Sequence, residues 1–167
     1  AWTGVSIKEY ASYFDTVYIS LYKYLGASGG AILCGEKSLI EKMPHMIKIH
    51  GGNMFGNWLN AAMALHRLEG VEERLQEAIK RSKEIFAGLA QAGIKVTALD
   101  NGTNIYSVKY PAGLNTEKVG ETLNKYLLRM PRPDENGNGI IFINETLLYR
   151  EPKYIIDAIK DAVNKGN

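Results

Sequence analysis

From Asp15 to Gly35 the chain alternates. Val17, Ile19, Leu21 and Lys23 fall on one side, and Tyr18, Ser20 and Tyr22 on the other. A period of two in β-branched and aromatic residues predicts a strand. The small residues Gly26-Ala27-Ser28-Gly29-Gly30 predict a turn, and Ala31-Ile32-Leu33-Cys34 a second short strand. The stretch therefore reads as a hairpin with Lys23 at its bend, on the apolar face of the first strand.

On either side of the hairpin the period lengthens. Residues 5–14 read as a short amphipathic helix capped by Ser6, with Glu9 three residues on as in a capping box. Residues 37–47 read as a helix interrupted by Pro44. The paired glycines of Lys48-Ile49-His50-Gly51-Gly52-Asn53 predict a loop. Residues 53–70 keep helical spacing through Phe55, Trp58, Leu59, Ala62 and Met63, and Gly70 ends or bends that helix. A long helix follows, with Leu75, Ile79, Ser82, Phe86 and Leu89 on its inner side and Gly93 as its stop.

Beyond Gly93 strands and helices alternate. Strands are expected over 94–98, 104–110 and 140–144. The turn Asp100-Asn101-Gly102 lies between the first two. Asn115 caps a helix running to about Met130, residues 131–139 form a loop, and Pro152 opens a last helix ending near Val163. The order β-β-α-β-α predicts an antiparallel sheet covered by helices on one face.

Composition sets limits. Of 167 residues, 46% are hydrophobic, enough for a core, and the net charge of +2 is spread without a basic stripe, which argues against nucleic acid as a partner. No apolar run reaches the length of a membrane span, and no signal peptide is evident. The single cysteine, Cys34, reads as a small buried hydrophobe; it forms no internal disulfide, which favours a reducing, cytoplasmic setting. No metal-ligand cluster is singled out. The opening Ala-Trp-Thr-Gly reads as the middle of a longer chain.

The candidate chemistry centres on Lys23. On the apolar face of a strand its ammonium is expected to be poorly hydrated, and desolvation frees the neutral amine as a nucleophile. The glycines beside it leave room for a bulky ligand, which suits Schiff-base chemistry. A lysine that ends a strand can equally be a solvated gatekeeper at an exposed edge.

The run SLYKYLGASGGAILCG is similar to the cofactor-lysine segment of the threonine aldolase and β-eliminating lyase family, fold-type-I enzymes dependent on pyridoxal phosphate. The likeness continues into HGGNMFGNWLNAAMAL, and the later half resembles the family in the order of its elements. The resemblance implies an α/β fold: residues 1–70 belong to the C-terminal part of a large cofactor-binding domain, and residues 71–167 form a small α+β domain with an antiparallel sheet. It implies that Lys23 holds pyridoxal 5'-phosphate covalently and that Ser20, three residues earlier, contacts the phosphate. Tyr22 and Tyr24 either meet the cofactor or simply pack. His50 lies in a loop that in the family approaches a neighbouring subunit's site; a surface histidine is the plainer reading.

The implied reaction is cleavage of a β-hydroxy amino acid to glycine and an aldehyde, in a homo-oligomer (dimer or tetramer). β-Elimination or transamination on the same scaffold, or a non-enzymatic α/β interaction domain, are the alternatives. The sequence departs from the family twice. Phe55 follows Met54 where relatives often show arginine, and the strand Gly139–Asn144 carries no arginine for a substrate carboxylate. Arg129, Arg132 and Arg150 match no family position. The family's Asp-Gly-Ala-Arg run, whose aspartate pairs with the cofactor's ring nitrogen, does not occur in this sequence. The 167 residues are therefore expected to be a fragment, inactive alone.

Overall fold

A computed structural model describes residues 2–100 and 102–167, so Asn101 of the expected turn lies outside the described residues. The chain falls into two compact units, Thr3–Glu72 and Glu73–Asn167, with Trp2 belonging to the second.

The first unit begins with α1 (Ile7–Ala11), whose Ser6 hydroxyl accepts the Glu9 backbone N–H at 3.1 Å, the cap the sequence announces. Strands β1 (Thr16–Ser20) and β2 (Ala31–Gly35) pair antiparallel, with Val17 opposite Cys34 and Ile19 opposite Ile32. Two helices then stand where one interrupted helix was expected, α2 (Lys37–Ile40) and α3 (Met43–Ile49). Pro44 has no N–H to give the carbonyl of Ile40, so the helix stops and restarts with the proline in its first turn.

Helix α4 runs from Trp58 to Leu68, five residues shorter at its start than the pattern implied. Gly56 and Asn57 precede it, and Asn57 is non-helical at φ −120°. The buried core of this unit is small: Leu21, Ala27 and Ala64, with Leu25 packed against them. Every residue of β2 is exposed. Cys34 is therefore exposed and not the buried hydrophobe expected, because nothing in the unit covers its strand.

The second unit is built on α5 (Val71–Gln91). Its buried stripe is Ala78, Ser82, Ile85, Gly88 and Leu89, with Phe86 partly buried beside it. The helix ends in a Schellman turn: Gly93 lies at φ +78°, and the Ile94 N–H reaches back to the Leu89 carbonyl at 3.0 Å. Strands β3 (Lys95–Ala98), β4 (Ile105–Lys109) and β5 (Asn138–Phe142) form an antiparallel sheet in that order. Helix α6 (Thr116–Lys125) follows β4, capped by Asn115 as expected, and α7 (Pro152–Gly166) closes the chain. A short 3-10 helix, Glu145–Tyr149, which the pattern does not announce, is capped by Asn144.

The core lies on one side of the sheet, where Val108 and the partly buried Val96 and Ile141 meet Ile85, Leu123 and Ile159 from the helices. On the other side Ile140 and Phe142 are exposed. The β-β-α-β-α reading holds. Helix α6 ends at Lys125, short of the expected Met130, because Leu127 adopts φ +55° and the Leu128 N–H bonds back to the Leu123 carbonyl. Among the described residues no helix is long and apolar enough to cross a membrane.

Candidate active site on the lysine turn

The segment from Leu21 to Gly30 is a clamped loop. The Leu21 N–H donates to the Gly30 carbonyl at 3.0 Å, extending the β1–β2 pairing by one rung. The chain then doubles back: the Ala27 N–H donates to the Leu21 carbonyl at 3.1 Å, and the Gly26 N–H to the Lys23 carbonyl at 3.2 Å. Gly26 sits at φ +66°, a conformation glycine enters without steric cost. Leu21 and Ala27, the two residues this closure joins, are buried with Ala64 of α4.

A polar brace fixes the far end. Asn60 of α4 is buried, and its Oδ1 accepts both the Ser28 backbone N–H (3.2 Å) and the Ser28 hydroxyl (2.9 Å). The Asn60 Nδ2 donates to Asn57 Oδ1 at 2.7 Å. Gly30, at φ +90°, passes so close that a Cβ there would lie 2.9 Å from Asn57 Nδ2. The sequence reading did not single out Asn57 and Asn60. The signal available was two asparagines three apart at the start of an otherwise apolar helix.

Lys23 stands at the outer end of this loop, exposed, with Nζ 6.0 Å from the centre of the Tyr22 ring. This corrects the expectation that it continues the apolar face of β1. Strand pairing ends at Ser20–Ala31, and the chain turns there to bury Leu21 and Ala27. Alternation is lost two residues before the lysine, so its ammonium is hydrated in this chain.

Ser20 is the last residue of β1, half-buried and opposite Ala31. Tyr22 and Tyr24 are exposed. A hydrogen bond with Tyr22 pushes the Tyr18 phenol above its ordinary value. His50 ends α3 on the surface, followed by Gly51 at φ +72°. Lys23, Ser20, Tyr22 and Tyr24 thus share one hairpin end. Arg129, Arg132 and Arg150 belong to the second unit.

The fold has known counterparts. A chain from Exiguobacterium sp. 255-15, described as an aromatic amino acid beta-eliminating lyase/threonine aldolase, superposes with a TM-score of 0.75 at 18% identity, covering 96% of this chain and 48% of that one. Leishmania major threonine aldolase gives 0.62 at 20% identity, covering 95% and 45%. The chain thus shares the α/β fold of just under half of each of these proteins.

Its sequence agrees: residues 1–109 match the model of the beta-eliminating lyase family, and the chain belongs to that family. Low-specificity L-threonine aldolase of Candida albicans is 38% identical over 94 residues, 56% of this chain and 25% of that protein. Low-specificity L-threonine aldolase 1 of Arabidopsis thaliana is 28% identical over 163 residues, 96% of this chain and 45% of that protein. The chain spans a quarter to just under half the length of these relatives.

Proposed function

We propose that this chain serves in a pyridoxal-phosphate-dependent lyase of the threonine aldolase type, with Lys23 as the cofactor lysine. The observation that carries the reading is a primary amine presented at the outer end of a loop held by Leu21, Ala27 and the Asn60–Ser28 brace. An accessible amine beside glycines, with a hydroxyl three residues earlier, fits an aldehyde cofactor that carries a phosphate. Lys23 Nζ would hold the aldehyde carbon and Ser20 Oγ the phosphate. When bound, pyridoxal phosphate supplies an electron sink for the bond that breaks beside the amino nitrogen. The Lys23 amine, once free, would take up and return a proton at Nζ. The substrate is a β-hydroxy amino acid, cleaved to glycine and an aldehyde.

The same reading assigns residues 1–70 to the large cofactor-binding domain and 71–167 to the small domain of a cytoplasmic homo-oligomer. The apolar, alanine-containing helix α4 supports the assembly, since such a face is more easily buried than left wet. Membership of a family named for β-elimination supports a second reading, elimination on the same scaffold. Product analysis separates the two: glycine with an aldehyde marks aldol cleavage, and a keto acid with ammonia marks elimination.

The decisive experiment is borohydride reduction of the complete protein loaded with pyridoxal phosphate, followed by peptide mass analysis. The added mass is expected on Lys23, and Lys23→Ala is expected to lose the cofactor's absorbance. Mass on another lysine, or absorbance unchanged in Lys23→Ala, refutes the assignment.

A further inference from the structure

The second unit contains a cavity of about 580 Å³ that the lysine chemistry does not use. Its walls come from α5, β5, α7, the 3-10 helix and the segment that follows α6. The lining is mostly apolar, with Phe86, Leu128, Met130, Ile141, Leu147 and Ile159 among its residues. The cavity is a partly open cleft and not an enclosed void, so a ligand can enter it from solvent. The volume is in the range of small-molecule sites.

The charged residues on this cavity are of one sign. Arg129 and Arg150 both line it, and no aspartate or glutamate does. Neither arginine forms an ion pair among the described residues. Arg150 is oriented by its neighbours: one guanidinium nitrogen donates to the Tyr149 carbonyl at 3.0 Å, and the group lies 5.9 Å from the Tyr154 ring centre. The wall nearest Arg129 is strained, since Leu127 holds φ +55°, a region L-residues seldom occupy. Strained backbone of this kind clusters at ligand sites and hinges.

We propose that this cavity binds a monocarboxylate with an apolar body, the alkyl or aromatic part lying among the aliphatic side chains and the carboxylate meeting Arg129 and Arg150. Guanidinium groups pair with carboxylates through parallel N–H donors, which fixes the orientation of the charged end. Both arginines are exposed and hydrated, so an uncharged ligand of equal size would fill the same volume and forgo only the ion pairs, and that difference gives the selectivity.

The test uses the 167-residue chain, labelled with nitrogen-15 and kept below the concentration at which light scattering records self-association, titrated with octanoate and separately with octan-1-ol. Octanoate is expected to saturate and to move the amide signals of residues 127–130 and 146–150, with the alcohol at least tenfold weaker. Arg129→Ala/Arg150→Ala is expected to erase that preference while leaving the rest of the spectrum in place. Leu147→Trp, which fills the cavity, is expected to abolish saturable binding of both. No saturable binding, equal affinity for acid and alcohol, or shifts confined to residues 3–72 would each overturn the proposal. Should the substituted chains not fold, the wild-type shift map and the acid-to-alcohol ratio decide it alone.

Discussion

Asn60 Oδ1 takes two hydrogen bonds from Ser28, one from its backbone and one from its hydroxyl, across 32 residues of sequence. Those bonds tie α4 to the loop that presents Lys23. Asn60→Ala removes the acceptor and leaves the Asn57 side chain without its donor. A net value of about 1 kcal/mol per hydrogen bond sets the expected loss at about 1–2 kcal/mol, the lower end favoured because water reaches Ser28. Denaturant unfolding measures it, and labelling of Lys23 by pyridoxal phosphate and borohydride should slow in the same variant. An unchanged midpoint would show that the brace carries no weight.

Two glycines give opposite outcomes for the same substitution. A Cβ on Gly88 of α5 would sit 2.6–2.7 Å from three side-chain carbons of Ile156 on α7. Gly88→Ala therefore overpacks that crossing and is expected to cost about 1–3 kcal/mol. At Gly120 of α6 a methyl group would point into open space, with no neighbouring atom within 4 Å. Gly120→Ala should instead stabilise by about 0.5–1 kcal/mol, the helix-propensity difference. Thermal melts of the pair test this, and equal shifts of one sign would contradict the packing argument.

What could be read from the sequence was local. Ser6, Asn115 and Gly93 each announce a helix end through chemistry confined to a few residues, and each ends or begins a helix as read. The β-β-α-β-α order was legible because a period of two and a period of three to four differ within a single element. Lys23 and Cys34 were misplaced for a different reason. Alternation assigns a residue to a face, and what covers that face is decided by packing. Leu21 and Ala27 find Ala64, so the chain turns before Lys23; β2 finds no cover, so Cys34 stays wet. The start of α4 was displaced because the Asn57 side chain bonds within the Asn60–Ser28 brace, a contact set by a distant loop.

Tyr110 should make the second unit sensitive to alkali. Burial pushes its phenol up to about 12 from 10.0, and its hydroxyl donates to the Pro131 carbonyl at 2.7 Å. The folded state holds the proton at pH values where the unfolded chain has released it. The contribution is thus fully present below pH 10 and lost as pH rises from 10 towards 12, at up to about 1.4 kcal/mol per pH unit. Tyr110→Phe should flatten that part of the stability profile while lowering stability at neutral pH by about 1 kcal/mol for the missing hydrogen bond. Parallel slopes for the two proteins between pH 10 and 12 would rule out Tyr110 as the source.

The β1–β2 hairpin makes the last prediction. It is a sheet of two strands, so each strand has an open edge. Its faces are open as well, with Tyr18 61%, Ile32 48%, Leu33 38% and Ile19 37% exposed. Two strands alone are marginally stable in water, and apolar surface of this extent is normally covered. The 167-residue chain by itself is therefore expected to self-associate through this hairpin. It is also expected to give no turnover of a β-hydroxy amino acid with added pyridoxal phosphate, because the lysine loop hangs from the hairpin. Ile19 and Ile32 face each other across the two strands. Ile19→Thr/Ile32→Thr keeps the β-branching and reduces the apolar area, so light scattering should record less association. A monodisperse wild-type chain that cleaves substrate above the free-cofactor rate would show that these residues build a working site without further cover for the hairpin.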